Sequence, residues 1–394
     1  MTKCVVWGIR TAGQLLASEA AYVGYEVVAY CSAFKEEQGM RIKDLPVISP
    51  AELKEWYAKD KTIRVILGIK NPIFLNEVEE LLRSQCPADM QIIDPGVIES
   101  DYLIKVRQNL QYRWNVDFKA QAEIWIQNFM SEVAYWVNEV ADPAATGSYR
   151  DDYLKRLDNK SFTGIDSSCS ELAEQLQAGA VVMDIGCGLA SKYGTELPNS
   201  ESIRLLAVDP LAAFYRRISQ KYSNGKGTPC KFGLFEFIAN YYEEGFCDAI
   251  LINNALDHCI DPYKSIVECL YILKSQGRMR LTHRCAEAVF EAYNGLHKWN
   301  IDYNEQNEFI IWNQENAMNV SKELQRVAEI RVSHTDDCAL RREQSVVVEI
   351  IKKQDFNLDE FFDMKKERQD LAFLFEKLMD WVSSGEEKYL GDRT

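Results

Sequence analysis

The stretch VVMDIGCGLASKYG, residues 181–194, runs from apolar side chains into an aspartate and then two glycines one residue apart. A short apolar run closed by glycine reads as a buried strand, and the turn after such a strand is where an open α/β sheet meets its ligand. Gly186 permits a tight turn, while Gly188, without a Cβ, lets a ligand approach the main chain. Asp184 stands at the strand's end, where a carboxylate would receive an ammonium and a pyrophosphate would gain nothing. The next apolar run, RLLAVDP (204–210), ends in Asp209 and Pro210, about twenty residues on, the spacing of an acid that binds ribose hydroxyls. A site so outlined suits a nucleoside with an amino-acid tail.

Outward from this turn the pattern repeats. FCDAILINN (246–254), GRMRLTHR (277–284) and SVVVEIIKK (345–353) read as further strands. Upstream, KCVVWG (3–8), YEVVAYC (25–31), TIRVILGI (62–69) and MQIIDP (90–95) alternate with helical patterns, one opened by Ser49 as cap and Pro50 at its first position. Strands alternating with amphipathic helices mean parallel sheets. The expected fold class is α/β, two Rossmann-like doubly wound domains with a helical connector and a C-terminal helix. The expected boundaries are 1–100 for a small Rossmann-like domain, 101–165 for the connector or lid, 166–353 for the second domain and 354–394 for a C-terminal helical segment. In that last segment Leu371, Leu374, Phe375, Leu378 and Val382 share one helical face. Trp114, Trp125 and Trp136 of the connector read as interdomain packing.

Together these residues resemble the class I S-adenosylmethionine-dependent methyltransferases. Asp184-Ile185-Gly186-Cys187-Gly188 is similar to their first motif, Asp209 to their ribose-binding acid, NNALDHCIDP (253–262) to the loop after their fourth strand, and LKSQGRMRL (273–281) to the turn and strand that follow. The resemblance implies S-adenosyl-L-methionine as cofactor, held by Asp184, Gly186, Gly188, Asp209, Pro210 and Asn254. Ala190 replaces a frequent third glycine, and KFGLFEF (231–237) offers no clear adenine-binding acid. DDYLKRLD (151–158), AVDPLAAFY, GLHKWN (295–300) and EFIIWN (308–313) further resemble bacterial methyltransferases from surface-polysaccharide gene clusters. That implies a hydroxyl of a sugar or activated sugar as acceptor.

Methyl transfer to a hydroxyl benefits from a base. Of four histidines, His258, His283 and His297 fall at the expected carboxyl edge of the second sheet, and the set is the candidate base, with a structural role open for each. Asp257 stands beside His258, to orient its ring or to cap a helix, and His334 reads as peripheral, with no metal site expected. Arg156 has two readings, a partner for the cofactor's carboxylate or an acceptor phosphate, or a solvated helix face. In the first domain GIRTAG (8–13) stands where a dinucleotide fingerprint would, but Arg10 replaces its middle glycine. That segment resembles the Rossmann-like modules attached to bacterial sugar-modifying transferases, and packing or assembly is its expected role.

A formal charge of −15 argues against nucleic acid as a partner. Eleven scattered cysteines without a C-x-x-C pair read as reduced, buried thiols. With no membrane-spanning run and no signal-peptide pattern, a cytoplasmic enzyme acting on a small molecule, a sugar or nucleotide-linked sugar, is expected; a homo-oligomer is compatible with this. The rival readings are an NAD(P)-dependent oxidoreductase and a degenerate methyltransferase serving as a binding or scaffold subunit.

Overall fold

The computed structural model describes residues 1–69, 72–141, 151, 153–154, 156–157, 170–197, 201–222, 230–334 and 344–383. The chain divides into two compact units, the first over Met1–Leu110 and the second beginning at Gln111. Both are α/β, and each is built on a six-stranded, mostly parallel sheet.

In the first unit β1 (Lys3–Trp7), α1 (Thr11–Val23), β2 (Glu26–Cys31), β3 (Arg41–Ile42), β4 (Leu45–Ile48), α2 (Pro50–Lys59), β5 (Arg64–Leu67), α3 (Pro72–Gln85), β6 (Ile92–Ile93) and α4 (Pro95–Asn109) follow in order. The sheet runs β3-β4-β2-β1-β5-β6, with only β3 antiparallel to its neighbour. Strand β1 is buried on both faces: Val5 and Trp7 join Leu53 and Tyr57 on one side, Cys4 and Val6 join Leu16 and Ile98 on the other. That two-sided burial explains an unbroken apolar run where a half-exposed strand would alternate. Ser49 and Glu52 form a full capping box ahead of α2, with Pro50 in its first turn, as the sequence predicts. The short β3 and β4 are not anticipated by the sequence pattern, because LPVI is too brief and too interrupted by Pro46 to show a period.

In the second unit the long helix α5 (Phe118–Ala141) precedes β7 (Val181–Ile185), β8 (Arg204–Val208), β9 (Cys247–Asn253) and β10 (Leu273–Arg284). After β10 come β11 (Asn300–Tyr303), β12 (Phe309–Trp312), β13 (Ala317–Asn319), β14 (Ala328–His334) and β15 (Ser345–Lys352). The main sheet runs β14-β15-β10-β9-β7-β8, and β11-β12-β13 make a separate small sheet. Strands β10, β9, β7 and β8 are parallel, whereas β15 and β14 are antiparallel to their neighbours. Neither β14 nor the small sheet is anticipated; GLHKWN, read as a loop, ends in the first residue of β11.

The C-terminal helix Met364–Ser383 packs against α5 on most of the face expected, with one position exchanged; the Val382 side chain lies outside the described residues. Leu371, Leu374, Leu378 and Trp381 pack inward, and Phe375 is exposed. Leu371, Leu374, Leu378 and Trp381 follow a regular spacing of three and four, and Trp381 meets Phe129 and Phe214 edge to face. The connector tryptophans pack within the second unit: Trp114 stacks on Trp299, Trp125 meets Phe129, and Trp136 meets Tyr153. Of the expected connector 101–165, residues 142–150, 152, 155 and 158–165 lie outside the described residues, as do Asp336 and Asp337 beside His334. Every cysteine among the described residues is buried and free. Among the described residues no helix is long and apolar enough to cross a membrane.

Candidate active site

Strand β7 has β8 on one side and β9 on the other, so the direction of winding reverses beside it. In an open sheet this switch point leaves a crevice beyond the carboxyl ends of the strands. A cavity of about 690 Å³ opens there. Gly186, with φ of 76°, turns the chain beneath Ala255, and an added Cβ would come within 2.3 Å of the Ala255 Cβ. Gly188, with φ of 60°, borders the cavity, and a Cβ there would meet only the Trp136 ring, at 3.6 Å. A side chain at Gly188 would fill cavity space that the glycine leaves bare.

Asp209 ends β8's course and holds the glycine turn: its carboxylate accepts from the Leu211 N–H at 2.8 Å and the Gly188 N–H at 3.1 Å. Two such bonds leave lone pairs for a ligand's hydroxyls. Burial pushes its carboxyl up to about 7 despite both amides. Asp184 is also buried and is pushed up to about 6 by burial, against the pull of Ser191, Arg156 and Lys192.

The other end of the cavity holds a cluster of imidazoles around one carboxylate. After β9, Asn254 adopts a left-handed φ of 50°, and a short helical turn Leu256–His258 follows. The turn is tied down from several directions. The Trp125 indole donates to the His258 carbonyl at 2.8 Å and the Trp299 indole to the Cys259 carbonyl at 3.0 Å. The Glu236 carboxylate accepts from the Ile260 N–H at 2.6 Å. The Lys298 N–H donates to the Asp257 carbonyl at 3.2 Å, which brings the His297 loop across. As a result His297 Nδ1 lies 2.7 Å from Asp257 Oδ2 and 3.1 Å from His258 Nε2.

Charge follows from this packing. Burial works against the Asp257 charge, but His258, His297 and His283 hold its carboxyl well below the usual range. Burial also opposes a charge on His297, yet its bond to Asp257 and the nearby Glu287 and Glu291 push it up to about 9. His283, 1 % exposed, is pushed down to about 4 by burial and stays neutral. Glu287 is pushed up to about 7 by burial and the Asp257 charge. Left-handed backbone at Ala286, Ala292, Tyr293 and Gly295 marks the wall beside His297, a conformation that L side chains adopt at some cost.

Asp184, Gly186, Gly188, Asp209, Pro210, Asn254, His258, His283 and His297 all line the one cavity. Arg156 does not line it; buried behind the turn, it donates to the Ala190 carbonyl at 3.2 Å and stacks 4.0 Å over Tyr153, which does. His334 lies stacked on Tyr303, away from this wall. Sequence reasoning missed Trp125, Glu132, Trp136 and Phe235 in the lining and the anchoring role of Glu236. In KFGLFEF the Glu236 carboxylate is occupied by the Ile260 and Asp261 amides.

In the first unit, Arg10 is paired with Glu37 at 2.9 Å and its side chain is 87 % exposed. Gly8, Gly13 and Gly68 pack on one another there: a Cβ on Gly13 would lie 2.0 Å from the Gly8 carbonyl oxygen, and one on Gly68 2.5 Å from the Gly13 Cα.

Residues 183–281 match the family model described as a methyltransferase domain. No curated protein matches the chain. Among solved structures, the N-methyltransferase NodS of Bradyrhizobium japonicum in complex with S-adenosyl-L-homocysteine is similar at 10 % identity and a TM-score of 0.35, over 58 % of this chain and 99 % of that one. An S-adenosylmethionine-dependent methyltransferase of Methanosarcina mazei is similar at 16 % identity and a TM-score of 0.31, over 46 % of this chain and 96 % of that one. Both scores are low, so the assignment rests on the matched segment, which spans β7 to β10 and includes the glycine turn, Asp209 and the Asp257 turn. Residues 183–281 are those of an S-adenosylmethionine-dependent methyltransferase domain.

Proposed function

We propose that this domain methylates a hydroxyl of a small polar acceptor, a sugar or activated sugar, with the His258–His297 pair as base and Asp257 as its counter-charge. The observation that carries this reading is that the Asp257 cluster opens into the same cavity as Gly188 and Asp209. When bound, S-adenosylmethionine supplies an electrophilic methyl group. Gly186 makes the turn beneath Ala255 and Gly188 leaves the path along the main chain clear; Asp209 and Pro210 would meet the ribose, Asp184 the ammonium, and Asn254 would close the far side. Arg156 acts from behind, as a positioning residue for the turn at Ala190.

At neutral pH His297 holds its proton against Asp257. Of the other two rings His258, 20 % exposed against 1 % for His283, is the one placed to accept the acceptor's proton, and the buried Asp257 charge stabilises the imidazolium that forms. Beyond the cluster the lining is acid-rich: Glu132, Glu236, Glu287 and Glu291 against Lys192 and Arg284. That balance disfavours phosphate and supports an uncharged sugar over a nucleotide-linked one.

Labelled S-adenosylmethionine, offered with sugars and nucleotide-linked sugars, tests the reading. His258→Gln and His297→Gln should each lower kcat about 10²- to 10⁴-fold while S-adenosylhomocysteine still binds. Methyl recovered on nitrogen, or full turnover in both variants, would refute it.

A further inference from the structure

Three Lewis-basic atoms in this cluster converge on one point. Asp257 Oδ2, His297 Nδ1 and His258 Nε2 are separated by 2.7, 3.1 and 3.6 Å. One proton on His297 Nδ1 can serve the carboxylate or the facing ring, but not both in full. A cation serves all three. Ligand atoms about 2.0–2.2 Å from a single ion lie roughly 3–3.5 Å apart, so the 3.1 and 3.6 Å separations are close to what an ion needs and the 2.7 Å one would open slightly on binding.

The surroundings point the same way. Asp257 is 1 % exposed, and its second oxygen, Oδ1, has no hydrogen-bond partner among the described residues. Beside it His283, equally buried, has both ring nitrogens without a hydrogen-bond partner among those residues, its Nδ1 3.9 Å from Oδ1. A buried polar group left unsatisfied is costly, so a neutral imidazole beside an unpaired carboxylate oxygen calls for a group that the described residues do not supply. His258 and His297 are 20 % and 26 % exposed, which leaves one side of the cluster open to the cavity. The turn that carries Asp257 and His258 is held by two indoles and a carboxylate, the rigid support that a ligand set requires.

We propose that Asp257, His258 and His297 bind one divalent transition-metal ion of the zinc or cobalt type, with an open side toward the cavity. Two imidazoles and one carboxylate suit such borderline ions better than magnesium or calcium, which take oxygen donors. The inference deepens the proposed function and rests on it for its consequence alone: with the ion bound, activation of the acceptor hydroxyl passes from the imidazole pair to the ion.

The test uses tag-free, full-length protein stripped with a chelator and titrated with Co²⁺ while its visible absorption is read. One ion per chain is expected, competed away by Zn²⁺. Affinity should fall by at least the roughly 10- to 100-fold that loss of an outer-shell partner costs in Asp257→Asn and His297→Gln, and stay unchanged in His334→Ala. No absorption band, or a band that survives both substitutions, would overturn the site. Calorimetric binding of S-adenosylhomocysteine on the same samples reports separately on the methyltransferase reading. It also shows that the variants are folded, so a lost band with the cofactor product still binding counts for the metal site.

Discussion

Two glycine turns, one in each unit, start from the same local grammar of a buried strand, a glycine turn and a helical segment, yet do different things. In the first unit Gly8, Gly13 and Gly68 bring three backbone segments into contact, and a single methyl on Gly13 would overlap the Gly8 carbonyl. In the second, Gly186 packs under Ala255 while Gly188 has open cavity beside it. Glycine by itself therefore marks only a close approach. Whether that approach is by the protein's own backbone or by a ligand depends on what surrounds it: Asp184 and Asp209 near Gly188, an exposed Arg10 already paired with Glu37 near Gly8.

The largest expected effect lies in the turn that packs on its own backbone. Gly13→Ala should destabilise the first unit by about 3 kcal/mol or more, seen as a lowered melting transition, while S-adenosylhomocysteine still binds. Loss of that binding would break the contrast between the two turns. Next, Asp209→Asn should weaken S-adenosylhomocysteine binding about 10- to 100-fold, the value of a hydrogen bond to a charged group. An unchanged Kd would move the ribose elsewhere.

A pH series sharpens the same point. Asp209 titrates at about 7 in the folded chain, against about 3.9 unfolded, so between these values the folded state binds more protons. The ligand-free protein should therefore gain stability as pH falls from 7 toward 4 on account of this group. Binding should do the opposite and weaken as pH falls through about 7, since a protonated Asp209 accepts less well. In Asp209→Asn that slope should vanish; calorimetry across the range would show it. The smallest effect is expected from Arg10→Ala, about 1 kcal/mol, because Arg10 is solvent-exposed and the buried Glu37 it leaves keeps the bond from the Ser32 hydroxyl, with no change in ligand binding. A larger loss would mean that Arg10 holds something besides Glu37.

Much of the fold and the cofactor end of the site is legible in the amino-acid pattern. The strands around Asp184 and Asp209 are buried on both faces, and such runs stand out as unbroken apolar stretches. The failures have physical causes. Strand β14 sets Ala328, Ile330 and Val332 against the core among charged and polar neighbours, too weak an alternation to stand out, and β4 is four residues long with a proline. On the C-terminal helix Phe375 and Trp381 both lie at the edges of the apolar stripe, and only Trp381 finds partners, the rings of Phe129 and Phe214. Within the site, His258 and His297 could be placed at one sheet edge, but their ring nitrogens face each other only because Lys298 ties the loop back to Asp257. Trp125, which holds the His258 turn, lies 133 residues earlier in a segment whose pattern suggests a connector. Such contacts follow from tertiary packing, which local pattern does not encode.

The most direct test of the account is calorimetric titration of the full chain and of Gly188→Leu with S-adenosylhomocysteine. The account predicts one site per chain in the unaltered protein and none in the variant, whose melting profile should show that it is folded. Binding of equal strength in both would contradict it, because the cofactor would then lie somewhere other than over the bare face of Gly188.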